Sequence, residues 1–529
     1  MNVIEISGRR GLLLSSSAGL LLALAYPRPG YNLAAFIALV PLLLSLRGAT
    51  RGAALGRGYA CGVVFFAVLL YWIVGVVHTY GGLPWPLGAL TLGLLVFYLA
   101  TYVALFTLLV ALSWRRFGPL ALAAVPVIWV GLEIVRSRLM GGFPWGLLGY
   151  SQGANLPFLQ VTAIGGIHTA SFLVAGVNAA IALLLAAPRR RAARVVAVLL
   201  LIAAAAAWGG GLVVLRGAAP VQSAERVKVA AIQANVAQGR KWTAGEEGAI
   251  VDELVDLTRR AAAGGARLVV WPESASPWSF NRPVRRSEGG RTGIALERHP
   301  EYFGTVRRLA AELDITLIAG SVDYRLDHGR LAATNSAFVL DGDGLPAPPY
   351  DKVHLVPFGE YVPLQRILFF VDRLVQGAIA GFVPGERLEP LPTPFGAAAT
   401  FICYEAIFPE VVRPLAIGSA YLVNITNDAW FGLSSAPEQH LAMAAVRAIE
   451  TRRYLLRAAN TGISAIVDPY GRIVARTAMQ EQAVLSGEIE PRAGETPYTR
   501  TGDLLAWGCA ILTFLYAALH LAAYARQRA

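Results

Sequence analysis

The chain has 529 residues, 55% of them hydrophobic, with a mean hydropathy of +0.52, which excludes an ordinary soluble protein. Its net charge of +12 is unevenly placed: residues 1–215 hold 14 Arg against the two acids Glu5 and Glu133, whereas residues 216–503 hold 30 basic and 32 acidic residues. The polar region therefore has no basic excess, which argues against nucleic-acid binding.

Seven apolar runs precede the polar region, at 11–26, 32–46, 58–78, 86–113, 118–135, 161–187 and 194–215, and an eighth covers 504–524. Most are long enough to cross a hydrocarbon core of about 30 Å. Arg9-Arg10 before the first run and Ala23-Leu24-Ala25 as a cleavage-like site near its end also fit a cleaved leader, but the runs that follow favour a retained anchor. With the N-terminus in the cytoplasm, 13 arginines fall on the inner side and three, Arg28, Arg136 and Arg138, in the outer loops. That bias predicts an extracytoplasmic position for residues 216–503.

The outer loop after the fifth run, Gly141 to Gln152, combines turn residues, aromatics and an amide. It reads either as an interfacial aromatic belt or as the floor of a lipid site in which Tyr150 and Gln152 would touch substrate. Both readings stay open on the residues alone.

From Arg226 onward, short β-prone runs alternate with helical patterns, as in an α/β sandwich. Strands are expected at 227–233, 268–271, 316–320, 336–340, 397–402, 421–425, 455–459, 464–467 and 484–489. Helices are expected at 247–263, 302–313, 411–417 and 438–453. Ser274 to Pro300, rich in Arg and Gly, shows no regular pattern. Leu364 to Phe382 places apolar residues at helical spacing, among them Leu368 and Val371, with Phe369 alongside. This segment reads either as a helix on the domain core or as an arm resting on the bilayer.

Three chemically complementary residues end strand-like runs. Glu273 follows Leu268 to Pro272, Lys352 lies in Pro349 to His354, and Cys403 ends Ala397 to Ile402. Ligands gather at strand C-termini in open α/β sheets. A carboxylate can activate a thiol, and an ammonium can stabilise an oxyanion. Cys403 is the only cysteine of residues 216–503, and the apolar run 411–417 behind it is expected to bring a positive helix end that favours thiolate. His354 and His440 flank these motifs, so a Cys–His pairing is also conceivable. No Cys/His cluster has metal-ligand spacing, and no metal or cofactor is expected.

The motifs Trp271-Pro272-Glu273, Asp351-Lys352-Val353-His354 continuing to Pro363, and Cys403-Tyr404-Glu405 resemble the Glu-Lys-Cys motifs of the nitrilase superfamily. With the membrane frame, the whole chain is similar to the apolipoprotein N-acyltransferase family. Further matching segments are Gln233-Ala234-Asn235, Lys241-Trp242, the Phe143 to Gln152 loop, Asn424 to Gly432 and Arg457 to Ser464.

The resemblance implies an α-helical transmembrane bundle of eight helices joined to a nitrilase-like αββα sandwich. The implied division is 1–215 for seven transmembrane helices, 216–503 for the catalytic domain, and 504–529 for the last helix and tail. It implies Glu273, Lys352 and Cys403 as the catalytic triad, Glu360, Tyr404 and Glu405 as supporting residues, and Trp242 on a mobile loop. The implied acyl donor is a phospholipid and the acceptor a diacylglyceryl apolipoprotein, handled by a monomer in the bacterial inner membrane with its catalytic domain on the periplasmic side. Two rivals are a membrane-tethered hydrolase using water and a transporter whose polar domain only binds ligand. The few ionisable residues in the spans speak against the transporter.

Overall fold

The computed structural model describes residues 8–217, 225–288, 291–327, 330–362 and 381–528. They divide into two compact units, a helical one (1–75, 84–219 and 496–529) and an α/β one (76–83 and 220–495). Residues 76–83, flanked by apolar runs in the chain, belong to the α/β unit.

In the helical unit, five stretches among the described residues are long and apolar enough to cross a membrane: Arg51–Leu69, Trp85–Arg136, Ile167–Ala186, Arg191–Gly217 and Leu504–Ala522. The difference from eight expected spans has local causes. The first run forms a 17-residue helix, Gly8–Leu24. The second breaks into the short pieces Asn32–Ala34, Ala35–Ala38 and Val40–Ser45. The fourth and fifth merge into one stretch that bends at Gly118, whose φ of 61° ends the helix Trp85–Phe117 before a 3-10 segment and the helix Val125–Arg136.

The same unit explains its two conspicuous polar residues. Glu133 accepts hydrogen bonds from Leu148 N at 2.7 Å and Trp129 Nε1 at 2.9 Å. Arg136 donates to the carbonyls of Phe143 and Trp145, each at 2.8 Å. Both side chains thus satisfy the backbone of an irregular loop inside an apolar surround.

Among the described residues the α/β unit contains 13 strands. They are β1 (Val227–Gln233), β2 (Leu268–Val270), β3 (Asn281–Glu288), β4 (Arg291–Arg298), β5 (Thr316–Asp327), β6 (Arg330–Leu340), β7 (Tyr350–Asp351), β8 (Ala398–Ile402), β9 (Tyr421–Thr426), β10 (Leu455–Ala459), β11 (Ala465–Val467), β12 (Ile473–Arg476) and β13 (Ala483–Ile489). One sheet has the order β13-β1-β2-β5-β6-β7 and the other β12-β11-β10-β9-β8. The expected strands are present, most with small shifts at their ends, but β5 runs to Asp327 and β6 begins at Arg330, so the hairpin they form is longer than the expected 316–320 and 336–340. The Arg- and Gly-rich segment read as irregular contains the antiparallel pair β3-β4.

Helices Glu247–Ala263 and Pro300–Leu313 close an apolar core on the first sheet, with Ile250, Leu254, Val269, Trp271, Tyr302 and Phe338 buried together. Their spacing puts one face of each helix on that core. Helices Pro409–Ala416 and Ala436–Thr451 pack against strands of the second sheet. The β1, β2 and β5 pairings are parallel, as are those of β8, β9 and β10. Parallel pairing directs the ends of β2, β8 and β9 to the loops that hold Glu273, Cys403 and Asn427.

Candidate active site

Cys403 follows β8 directly, with φ of 52°, a left-handed value that a non-glycine residue adopts at a cost of about 1–3 kcal/mol. It opens a 3-10 turn, Cys403–Ile407, and the α-helix begins only at Pro409. The expected helix end at the sulfur is therefore displaced by that turn. Burial and the neighbouring Glu273 carboxylate push the Cys403 thiol well above its ordinary range, with Lys352 opposing. Both influences favour the protonated thiol, which fits the expectation that a carboxylate activates it.

The candidate base, Glu273, lies just beyond the end of β2. Glu273 is buried, and its Oε1 accepts from Asn335 Nδ2 at 2.7 Å and lies 3.5 Å from Lys352 Nζ. Its Oε2 accepts from the backbone N–H of Asn427 at 2.7 Å. The approach of β5 to this corner depends on Gly320, where a Cβ would stand 2.3 Å from the Pro272 carbonyl oxygen.

Lys352 follows β7 and is 1% exposed, with Nζ donating to Glu360 Oε1 at 3.0 Å. Burial works against its charge, but Glu360 and Glu273, with Cys403 and Glu405, together hold its pKa above the ordinary lysine value. It is a fixed cation. Asn335 of β6 donates the same amide nitrogen to Glu273 and, at 2.9 Å, to Glu360 Oε1. Glu360 is tied back by the Val356 N–H on Oε2 at 2.7 Å.

Glu405 has a different task. Its Oε1 accepts from Tyr350 Oη at 2.9 Å, Val353 N at 2.7 Å and His354 N at 3.1 Å, and its Oε2 accepts from Ile402 N at 2.7 Å. It fastens the lysine segment to the cysteine turn. Burial raises its pKa to about 7 against those backbone donors. Tyr404 packs edge-on to Phe408, and His354 stacks on Phe408 with ring centroids 3.7 Å apart.

One family model, carbon-nitrogen hydrolase, matches residues 228–498, and another, the apolipoprotein N-acyltransferase N-terminal domain, matches residues 18–180. Among curated relatives, an apolipoprotein N-acyltransferase of Geobacter metallireducens is 41% identical over 97% of this chain and 95% of its own. One of Pseudomonas aeruginosa is 35% identical over 96% and 97%, and one of Azotobacter vinelandii is 36% identical over 98% and 97%. The chain belongs to the apolipoprotein N-acyltransferase family. It is an acyltransferase of nitrilase-like fold, and its apolar helices are those of a membrane protein.

For this acyltransferase, the sequence-predicted residues fall in three places. Glu273, Lys352, Cys403 and Glu360 meet in one buried site, with Tyr404 and Glu405 on the cysteine turn. Trp242 is exposed and follows the short helix Gln238–Lys241, with the buried Lys241 ammonium 5.7 Å from its ring. Burial lowers the Lys241 pKa to about 8, with the Glu273 carboxylate opposing. Tyr150 and Gln152 are buried in the helical unit, where Gln152 donates to Asn32 O at 2.9 Å. Leu368, Phe369 and Val371 lie outside the described residues. Among those residues no cluster of His, Cys, Asp or Glu suits a metal ion.

Sequence reasoning missed Asn335, which bridges both carboxylates. The available signal was the polar run Thr334-Asn335-Ser336 leading into the apolar Ala337 to Leu340. The conceivable Cys–His pairing takes another form: His440 Nε2 meets the Cys403 carbonyl oxygen at 3.0 Å.

Proposed function

We propose that this chain moves a fatty acyl group from a membrane phospholipid to the N-terminal amine of a diacylglyceryl-cysteine apolipoprotein, by way of a thioester on Cys403. The observation that carries the reading is the convergence of a buried thiol, a buried carboxylate and a fixed ammonium from three separate strand ends. The substrates are those implied by the names of the relatives. In this reading residues 216–503 are the catalytic domain, on the periplasmic side of the inner membrane, and the arginine bias supports that orientation.

Glu273 takes the proton of Cys403 Sγ as sulfur attacks the ester carbonyl of the phospholipid. Lys352 and the Tyr404 backbone N–H stabilise the oxyanion. Collapse breaks the ester C–O bond, and the departing lysophospholipid oxygen receives the proton from Glu273. The acceptor amine then attacks the thioester, loses a proton to Glu273, and sulfur leaves and regains a proton. A thioester reacts with amines more readily than the parent ester, so one difficult step becomes two easier ones. Water must be kept from the intermediate. Trp242 is read as a substrate contact at the rim.

Initial rates at several fixed donor concentrations test the scheme. Parallel double-reciprocal lines are expected, and intersecting lines would contradict a covalent intermediate. Discharge of the acyl group at the same rate with and without amine acceptor would favour a hydrolase.

A further inference from the structure

Behind Cys403 lies a second buried polar cluster that the acyl-transfer scheme does not use. His440, on the helix Ala436–Thr451, is 1% exposed. Its Nε2 lies 3.0 Å from the Cys403 carbonyl oxygen, and its Nδ1 lies 3.0 Å from Asp428 Oδ1 and 3.2 Å from Arg457 Nη2. Asp428 also accepts from Arg457 Nη2 at 2.7 Å on Oδ2 and from Thr426 Oγ1 at 2.9 Å on Oδ1. Arg457 donates in addition to Asn424 Oδ1 and Ile463 O.

The carbonyl can only accept, so a proton must sit on Nε2. The other ring nitrogen faces one acceptor and one donor. The ring therefore keeps its Nε2 proton either as neutral imidazole accepting from Arg457 or as a cation donating to Asp428. Burial, followed by the Arg457 guanidinium, pushes the His440 pKa down, which favours the neutral form.

The carbonyl that His440 holds belongs to the same peptide unit as the Tyr404 N–H. A trans peptide is planar, with its C=O and N–H pointing to opposite sides. Fixing the carbonyl towards His440 therefore aims the Tyr404 N–H the other way. Donation to the carbonyl also polarises the amide and strengthens its N–H as a donor. Tyr404 is the second residue of the 3-10 turn, and the first N–H groups of a helical turn have no acceptor within it. The same bond helps retain the left-handed conformation of Cys403.

We propose that His440 is a positioning residue of the acyl transfer: it orients and polarises the Cys403–Tyr404 peptide so that the Tyr404 N–H serves as oxyanion donor, while Asp428 and Arg457 hold its ring. This rests on the thioester reading above.

The test compares full-length wild type, His440→Gln and His440→Met, each acylated with a donor ester carrying a 13C carbonyl. Two quantities are read: the rate of acyl loading and the carbonyl stretch of the acyl-enzyme by difference infrared spectroscopy. A Gln side chain places an N–H near the former Nε2, whereas Met fills the space without a donor. The wild-type thioester should absorb at lower wavenumber than the same thioester in solution. His440→Gln should keep that band and load at close to the wild-type rate. His440→Met should shift the band upward and load about tenfold more slowly or worse, with donor KM unchanged.

A wild-type band and rate in His440→Met would overturn the proposal. So would a His440→Gln protein as slow as His440→Met with its band moved. Should His440→Met fail to accumulate folded, His440→Gln decides alone, retention supporting the proposal and loss of band position and rate overturning it. If wild type forms no adduct, the thioester reading fails first. If all three form adducts with one band and one rate, only the role of His440 fails.

Discussion

Two buried ionic clusters lie on either side of Cys403, and they are built to opposite ends. In front, two carboxylates, Glu273 and Glu360, share one ammonium, Lys352, and one amide, Asn335. The backbone N–H groups of Asn427 and Val356 cover the remaining carboxylate oxygens. Behind, Asp428 accepts from Arg457 and Thr426, with His440 Nδ1 3.0 Å away, and the Arg457 guanidinium is the main group that holds its pKa far down against burial. In the proposed scheme the first cluster exchanges a proton, whereas the second stays fixed. The segment after β9 connects them, since Asn427 N–H binds Glu273 and Asp428 belongs to the rear cluster.

The largest effect should come from the atom between them. Cys403→Ser should lower acyl transfer by about 10⁴-fold or more in a fixed-time lipoprotein conversion assay. Next, Glu273→Gln should slow acyl loading by about 10²–10⁴-fold with a smaller loss of Tm than in the rear cluster, since the amide turns its N–H groups towards only one of the donors, Asn335 Nδ2 or Asn427 N–H, that the carboxylate accepts from. Equal losses of rate and Tm would erase the distinction between the clusters.

The rear cluster should behave in the reverse way. Arg457→Met leaves Asp428 buried without its main partner and should cost about 3–5 kcal/mol of stability, read by thermal unfolding. The pH response has a fixed sign. The Asp428 pKa is depressed in the folded protein, so its stabilisation is present above the ordinary value of 3.8 and is lost as pH falls below it. Asp428→Asn should flatten that acid limb.

The smallest effect concerns the connecting segment. Tyr80 donates to the Ala429 carbonyl at 2.6 Å, and its ring lies 4.8 Å from that of Trp430. Tyr80→Phe should cost about 1 kcal/mol and a modest loss of activity. A loss as large as that of Glu273→Gln would mean that the segment moves during catalysis.

The front cluster was legible where its members end short, contiguous motifs. Glu273, Lys352 and Cys403 each follow a strand-like run, and the strand-end rule brings them together. Asn335 was not, because it meets Glu273 62 positions away in sequence and no local pattern marks such a pairing. His440 was visible as a histidine near a motif, but only the fold shows that it meets a backbone carbonyl instead of the thiol. The β3-β4 pair escaped because arginines interrupt its alternation of polar and apolar residues. The helical spans were legible as apolar runs, yet their breaks depend on backbone turns such as Gly118 that hydropathy does not register.

The central claim is that the Cys403 sulfur carries the acyl group covalently. Intact mass of full-length protein isolated from its membrane, followed by analysis of the 401–410 peptide, tests it most directly. The account predicts a fatty adduct on wild type that hydroxylamine removes and that Cys403→Ser lacks. A Cys403→Ser protein that still converts diacylated lipoprotein to the triacylated form would contradict it.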